Sequence, residues 1–332
     1  MHMNICVGLR SIENIEKYIY AGATEFYCGV FDSHWLEKYG YIVGINRRPY
    51  PNSNISDFFE LENVVKKVHK YNCKVFFTVN EHFYIDKQMD LIRSHITNAI
   101  NCGVDAIIVS DISLVNYLSE IGGINIHIST GGTVFNSLTA QFYQKNRGVS
   151  RIIMPREVTV KEISEISKNM PTVEYEVFML NEGCINIDGF CNHVHGLNYV
   201  ADNGTFCNYK YSVGCMLKYT LKKGMIYGKE ILQKGEIIYK INNASSRCGD
   251  CGLCAIYQFK DCGITSLKLV GRATNPEKVI SDIKIIKNAI EISRKSIEFD
   301  EYSKILKREI CQNELDNKFH YCYYPDLWRD LS

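Results

Sequence analysis

Residues 103–129, GVDAIIVSDISLVNYLSEIGGINIHIS, contain the pattern that decides the fold. The apolar run Ala106–Ser110 predicts a strand, Ser113–Glu120 has the apolar spacing of a helix, and Ile124–Ser129 predicts another strand. Continuous apolar runs are typical of parallel strands that are buried on both faces. This stretch therefore predicts a strand–helix–strand unit whose two strands are parallel.

The same alternation continues on both sides of this stretch. The other predicted strands are Asn4–Leu9, Thr24–Val30, Lys74–Val79, Arg151–Met154, Val173–Met179 and Ser266–Val270. Eight strand runs that alternate with helices predict a TIM-like (β/α)8 barrel. An open doubly wound sheet is the alternative, but no glycine-rich phosphate loop follows the first strand.

A long cysteine-rich insertion separates the seventh and eighth predicted strands. We expect the first seven βα units in residues 1–180, the insertion in 181–262, and the last strand, a closing helix and the tail in 263–332. The insertion follows the carboxyl end of a strand, where barrel enzymes place their chemistry. Loops of this length are usually functional or disordered. Within the insertion, Met225–Tyr239 predicts a β-hairpin.

Composition narrows the classes of protein. The chain has 332 residues, is 46% hydrophobic and carries a formal net charge of +1. It has no signal-peptide pattern and no apolar run of about 18–20 residues, so we expect a cytoplasmic protein without membrane insertion. The near-zero net charge gives no argument for nucleic-acid binding, although a local basic patch would still permit an RNA substrate.

The cysteines are concentrated in the insertion. Of 14 cysteines, seven lie between Cys184 and Cys254, in the pattern Cys184-x6-Cys191, Cys207-x7-Cys215, Cys248-x2-Cys251-x2-Cys254. In a long cytoplasmic chain, clustered thiols bind metal more often than they form disulfides. Thiolates suit iron–sulfur clusters and zinc. We favour iron–sulfur because only one part of the pattern has the Cys-x2-Cys knuckle of structural zinc sites.

Several segments carry a family resemblance. They are Ala21–Gly29, Lys74–Asn80, Gly103–Asp111, Ile126–Thr130, Pro155-Arg156-Glu157, Glu176-Val177-Phe178 with the following Cys184-x6-Cys191, and Ser266–Arg272. Together they resemble the collagenase-like peptidase family, unassigned peptidase family thirty-two. One departure is that Leu180-Asn181 stands where the family usually has His-Gly after the seventh strand.

The resemblance implies an iron–sulfur-dependent, oxygen-independent hydroxylase, a class suited to anaerobic growth. Family members act on tRNA, ribosomal RNA or ubiquinone precursors, carry a [4Fe–4S] cluster and are thought to take oxygen from prephenate. By position, the expected ligands are Cys184, Cys191, Cys207 and Cys251. The alternates are Cys215, Cys248, Cys254 and Cys28, and the extra thiols leave a second cluster open.

Four further residues are candidates for catalysis. Arg156 and Arg272 end strands 6 and 8, and both would bind the carboxylates of an anionic donor. Glu157 would orient Arg156 or transfer a proton, and His127 projects inward as a site residue or a core histidine. The alternatives to a hydroxylase are a collagenase-like peptidase and a non-catalytic, cluster-carrying partner of a paralogue. The expected substrate is a small molecule or an RNA. The expected partner is a second subunit, in a homo-dimer or in a hetero-dimer with a paralogue.

Overall fold

The structure, a computed structural model, describes residues 3–39, 44–48, 50–184, 187–191, 251–311 and 322–329. Between residues 193 and 231 it also describes the backbone of four short strands. His193–Val194 pairs in parallel with Val213–Gly214, and Gly224–Ile226 pairs antiparallel with Lys229–Ile231. The first strand of the predicted hairpin is thus present, but its partner is Lys229–Ile231, and residues 232–239 lie outside the described ranges.

Eight parallel strands close into a barrel, which confirms the predicted TIM-like fold. The strands are β1 (Asn4–Gly8), β2 (Glu25–Cys28), β3 (Lys74–Val79), β4 (Ala106–Val109), β5 (Asn125–Ile128), β6 (Val149–Ile153), β7 (Glu174–Leu180) and β8 (Ile264–Leu269). Each strand pairs with its neighbours in sequence, and β1 pairs with β8 to close the ring.

Helices surround the barrel. They are Ile15–Ala21, Ser33–Tyr39, Phe58–His69, Asp86–Asn101, Ile112–Ile121, Ser137–Gln144, Val160–Asn169, Ile256–Phe259, Pro276–Lys295, Phe299–Leu306 and Asp326–Arg329. Local capping explains several starts: the Asp111 carboxylate accepts from the backbone of Ser113, and Thr159 and Glu162 form a capping box. None of the helices in the described ranges has the length and apolar character needed to cross a membrane.

The barrel interior contains a buried group of charges, which we call the core cluster: Glu25, Arg151, Glu176 and Lys268. Arg151 donates to both oxygens of Glu25, each at 2.7 Å, and to Glu176 Oε2 at 3.2 Å. Lys268 donates to the other Glu176 oxygen. Every carboxylate oxygen of Glu25 and Glu176 therefore accepts from a cation, and Arg151 also donates to the more exposed Glu174 at 2.6 Å.

His127 lies beside this cluster in the core. Its ring packs edge-on against Phe76 with centroids 4.5 Å apart. Burial, and then the positive charges of Arg151 and Lys268, lower the pKa of His127 well below its usual value. The imidazole is therefore neutral, and it lies below the cavity described next rather than in its lining.

Candidate functional site

A cleft with an empty volume of about 780 Å³, open to solvent, lies at the carboxyl ends of the barrel strands. Its lining is unusually cationic for a barrel of near-zero net charge. The charged and aromatic lining residues are Tyr27, Arg47, Arg48, His82, Arg156, Phe178, Glu182, Asp188, Lys268 and Arg272. This is the face at which TIM barrels place their active sites.

Arg272 is a buried cation of this lining and is held by neutral groups. Its guanidinium donates to Asn46 Oδ1 at 2.8 Å and to Asn54 Oδ1 at 2.9 Å. Among the described residues, no carboxylate lies within 4.0 Å of it. Burial lowers the pKa of Arg272 to about 10. A buried cation without a carboxylate partner favours the binding of an anion.

Two glycines make this arrangement sterically feasible. A Cβ on Gly8 would lie 2.7 Å from Arg272 Cγ, and a Cβ on Gly29 would lie 2.5 Å from Asn46 Nδ2. Side chains at either position would displace Arg272 or the amide that holds it. The sequence places these glycines at the carboxyl ends of β1 and β2, so the strands themselves leave room for the arginine.

Arg156, the other predicted anion-binding residue, has a partner within the protein. Its guanidinium pairs with Asp188 and lies over the Phe178 ring, 4.0 Å from the centroid. Burial opposes its charge, but the field of Asp188 raises the pKa of Arg156 overall, and Arg156 in turn keeps the pKa of Asp188 low. Arg156 therefore faces the cavity already neutralised.

Glu157 does not take the role expected from the sequence. It is exposed and outside the cavity lining, and Asp188 rather than Glu157 pairs with Arg156 in the described part of the chain. The reason is the turn after β6, where successive side chains point in different directions. Arg47 and Arg48, by contrast, both line the cavity, where Arg47 pairs with Glu81 at 3.0 Å and Arg48 with Glu182 at 2.5 Å.

Two predicted cluster ligands lie on chain segments next to the end of β7. Cys184 follows the last residue of that strand, Leu180, by four positions. Cys251 forms an antiparallel bridge with Leu180, and the Gly252 N–H donates to Met179 O at 2.7 Å. Chain segments that the whole insertion separates in sequence are thus paired at the carboxyl end of β7.

The remaining predicted ligands are only partly described. Cys191 is buried, interacts electrostatically with Arg47 and lies three residues after Asp188. Cys254 is half-buried, one turn beyond Cys251. The other three cysteines of the pattern, Cys207, Cys215 and Cys248, lie outside the described residues.

Cys28, the most distant alternate, is poorly placed to be a ligand. Side chains alternate along β2, so Cys28 lies on the opposite face from Tyr27, which lines the cavity. Cys28 is fully buried, and burial raises the pKa of its thiol to about 12. It is a core residue, and its role as an alternate ligand stays a prediction that this position does not favour.

The described donors suit an iron–sulfur centre chemically. Thiols are the donors that such a centre needs, and Cys184, Cys191, Cys251 and Cys254 supply them in the described part of the chain. No three described cysteines lie within 4.8 Å of one another.

One group of possible metal ligands in the described chain does lie within 4.8 Å, namely Cys6, Glu25 and Glu176. Both carboxylates belong to the core cluster, where Arg151 and Lys268 already occupy their oxygens. Burial, with the field of Glu176, raises the pKa of Cys6 well above its usual value, so its thiol stays protonated. This group is structural.

Several residues of the lining were not singled out from the sequence, among them Tyr27, Glu182, Asp188 and Lys268. For two of them, a signal was present. Tyr27 and Lys268 occupy inward positions of strands recognised as such, so strand alternation identifies them. Glu182 lies in irregular backbone after β7, and Asp188 begins a helical turn of three residues, so no periodicity indicates the direction of either side chain.

Comparison with known proteins gives consistent matches. The family model described as peptidase family U32 matches residues 10–326. A collagenase of Porphyromonas gingivalis is 26% identical over 300 residues, 86% of this chain and 65% of that protein. The 23S rRNA 5-hydroxycytidine synthase of Escherichia coli is 27% identical over 232 residues, 69% of this chain and 32% of the synthase.

The tRNA hydroxylation protein P2 of Bacillus subtilis matches along most of both chains. It is 25% identical over 294 residues, which cover 85% of this chain and 84% of that protein. Against most of the curated relatives that it matches, however, the chain spans less than two thirds of their length.

Proposed function

The chain belongs to peptidase family U32, and from this premise we propose that it is an iron–sulfur-dependent redox enzyme that hydroxylates its substrate without O2. Relatives named as tRNA hydroxylation proteins and as a ribosomal RNA hydroxycytidine synthase support a hydroxylase-like role. For this chain, the iron–sulfur centre, the oxygen donor and the substrate are our proposals.

One observation carries the proposal: the backbone of Cys251 pairs with Leu180 at the end of β7, four residues before Cys184, so the two cysteines lie on neighbouring chain segments at the barrel mouth. The whole insertion separates these segments in sequence. With Cys191 and with Cys207 as the fourth donor, Cys184 and Cys251 would hold a [4Fe–4S] cluster. When bound, such a cluster supplies single electrons at a potential set by burial and hydrogen bonds.

The cavity residues have separate tasks in this proposal. Arg272 binds one carboxylate of an anionic oxygen donor, for which prephenate is the family's candidate, because its guanidinium has only neutral partners. Phe178, with Arg156 stacked on it, forms an apolar wall that excludes water. Lys268 reaches the floor from the core cluster and keeps its proton, since Glu176 outweighs its burial and raises the pKa of the ammonium.

The substrate class follows from the relatives. Their names include tRNA and ribosomal RNA hydroxylation, so we place an RNA base first and a small aromatic or quinone-type molecule second. Either substrate would enter from the solvent-open side of the cleft. An RNA substrate also accords with the cytoplasmic location expected from the sequence.

The test of the metal centre is direct. The protein is purified without oxygen, and its iron, sulfide, zinc and visible spectrum are measured. We expect iron and sulfide in near-equal amounts and broad absorption in the visible. Cys184→Ser should lose most of the iron. Cys28→Ser is the matched control and should keep it, because Cys28 faces the helices. Stoichiometric zinc without sulfide would refute the iron–sulfur proposal.

The reaction is tested in cells. RNA and small metabolites from anaerobically grown cells with and without the gene are compared by mass spectrometry. Loss of a hydroxylated nucleoside, restored by the wild-type gene but not by Cys184→Ser, is the expected result. An unchanged RNA profile with a changed quinone profile would move the substrate to the second class.

A peptidase is the second candidate, because one relative is named collagenase. In the described part of the chain, however, no serine or threonine hydroxyl donates a hydrogen bond to a histidine. The usual serine-nucleophile arrangement is therefore not found there. Gelatin cleavage by the cluster-loaded protein, abolished by a cavity variant, would favour this candidate over the hydroxylase.

A further inference from the structure

Tyr27 is a buried tyrosine of the cavity lining, and its hydroxyl makes no hydrogen bond to any residue in the described part of the chain. A buried tyrosine hydroxyl usually finds a partner, because an unpaired polar group costs free energy. The Tyr27 hydroxyl therefore lacks an acceptor that a ligand in the cavity would supply. Five other buried tyrosines do donate to a backbone carbonyl, namely Tyr84, Tyr143, Tyr175, Tyr302 and Tyr324.

The ring of Tyr27 is held by a cation that is itself fixed in the core. Lys268 Nζ lies 4.0 Å from the centroid of the ring, and Lys268 is paired with Glu176. A cation over the face of an aromatic ring is attracted to it. Burial raises the pKa of Tyr27 above its usual value, so the hydroxyl keeps its proton at neutral pH and acts as a hydrogen-bond donor.

The hydroxyl lies beside Arg272. The point that a Cβ on Gly8 would occupy is 3.1 Å from the Tyr27 hydroxyl oxygen and 2.7 Å from Arg272 Cγ. Because β1 lies between β2 and β8 in the barrel, Tyr27 and Arg272 approach each other across β1. Gly8, the last residue of β1, has no side chain to fill the gap between them.

The part of Arg272 next to this gap carries a donor that the protein does not use. Nη1 and Nη2 make the hydrogen bonds to the described residues, with Asn54, Thr78 and Asn46 as acceptors. No described residue accepts from Nε, which is joined through Cδ to the Cγ atom beside the gap. An N–H donor and an O–H donor are thus available near each other, and a carboxylate has two oxygens that can accept from them.

We infer that Tyr27 is a second binding residue for the anion: its hydroxyl and Arg272 Nε donate to the same carboxylate, in the gap that Gly8 leaves open. This inference rests on the proposed function and completes the subsite for a carboxylate of the oxygen donor. The subsite takes one carboxylate, so a dicarboxylate such as prephenate binds to it through one of its two. Donors fixed on two strands set the orientation of the ligand in the cleft.

The experiment uses the anaerobically purified full chain and two probes, phenylpyruvate as an aromatic monocarboxylate and prephenate as a dicarboxylate. Calorimetry at pH 7.5 gives the dissociation constants. Tyr27→Phe removes the hydroxyl and keeps the ring against Lys268. It should weaken the binding of both probes about tenfold, because a hydrogen bond to a charged group is lost. Tyr20→Phe is the matched control. Tyr20 is 73% exposed and outside the cavity lining, so either constant should change less than about twofold.

A double variant tests whether the two donors share one carboxylate. Arg272→Gln removes the cation. Adding Tyr27→Phe to it should weaken phenylpyruvate binding by less than about threefold more, because the carboxylate is no longer held beside the hydroxyl. A further loss of about tenfold would show that Tyr27 acts on another part of the ligand and would overturn the inference.

Gly8→Ala tests the same subsite without removing a donor. The added methyl group fills the gap between the Tyr27 hydroxyl and Arg272, so the affinity for both probes should fall at least as much as in Tyr27→Phe. Wild-type affinity in Gly8→Ala would mean that the carboxylate lies elsewhere, against the inference.

Thermal unfolding separates binding from structure. Since the Tyr27 hydroxyl has no partner among the described residues, Tyr27→Phe should unfold within about 2 °C of the wild type. A larger fall in unfolding temperature with unchanged affinity would make the hydroxyl structural and defeat the inference. Unchanged affinity by itself, or failure of the wild type to bind either probe, would defeat it as well.

Iron and sulfide content is measured on the same samples, because it tests the proposed function separately. Normal iron and sulfide with unchanged affinities in Tyr27→Phe would refute the role of Tyr27 and leave the proposed function standing. Samples without iron and sulfide would refute the proposed metal centre, whereas the dissociation constants would still decide the role of Tyr27.

Discussion

Two regions of the barrel interior use the same residue types in opposite ways. In the core cluster, Arg151 donates to Glu25 and Glu176, and every carboxylate oxygen has a cationic partner. At the mouth, Arg272 is equally inaccessible to water but donates only to amide and hydroxyl oxygens. The carboxylates of the core cluster are paired with cations of the same cluster, whereas Arg272 at the mouth has no carboxylate partner among the described residues.

The difference separates stability from binding. Charges that satisfy one another inside a protein add no capacity for a ligand, and removing one member leaves its partner buried and unpaired. A cation held by neutral groups keeps its charge for an incoming anion, and its net burial cost is recovered when the anion binds. Burial alone therefore does not identify the functional arginine, but the chemistry of its partners does.

The substitution Arg151→Met tests the structural role of the core cluster and has the largest expected effect on stability. The substitution leaves Glu25 and Glu176 buried without their main partner, so we expect a loss of about 3–5 kcal/mol in the free energy of unfolding. Urea denaturation of the purified protein measures it. Arg147→Met is the matched control, since Arg147 is exposed, and it should change stability by less than about 0.5 kcal/mol. If Arg151→Met lost no more than the control, the core cluster would not be structural.

The pH dependence of the free energy of unfolding tests whether His127 belongs to the structural core. Its folded-state pKa is lowered by burial and by Arg151 and Lys268, whereas the unfolded imidazole binds a proton near its ordinary pKa of 6.5. As pH falls below 6.5, protons stabilise the unfolded chain, so stability should fall by up to about 1.4 kcal/mol per pH unit.

The measurement compares wild type with His127→Gln by urea denaturation from pH 8 to pH 5. The wild type should lose about 2 kcal/mol more than the variant across this range, because glutamine does not titrate. Parallel pH profiles for the two proteins would mean that His127 is not held neutral by the core, and the assignment of this residue as structural would fail.

The sequence predicted most of the fold because the barrel strands are long apolar runs. Each predicted strand, from Asn4–Leu9 to Ser266–Val270, overlaps an observed one. Parallel strands buried on both faces leave a signal that does not depend on distant contacts. The convergence of strand ends at one face follows from the fold, and it placed Arg272 at the mouth before any geometry was known.

The charge pairing within the site could not be predicted from the sequence. Arg156 and Arg272 looked equivalent because both follow a strand, yet Asp188 neutralises only Arg156. Asp188 comes from a short helical turn 32 residues away, and Glu182 from left-handed backbone. Pairings of this kind depend on loop conformation, for which neither apolar periodicity nor strand alternation provides information.

The substitution Arg272→Gln tests the binding role of the arginine at the barrel mouth. Of the three substitutions, it has the smallest expected change in free energy, which is a change in the free energy of binding. Affinity for phenylpyruvate should fall at least tenfold, or about 1.4 kcal/mol, because the charged hydrogen bonds to the carboxylate are lost. The free energy of unfolding should change by less than about 1 kcal/mol, since Asn46 and Asn54 are neutral and are not left as unpaired charges. Calorimetry and urea denaturation provide the two values. The opposite pattern, a large loss of stability with unchanged binding, would show that Arg272 is a structural residue like Arg151 and that the partners of a buried arginine do not reveal its role.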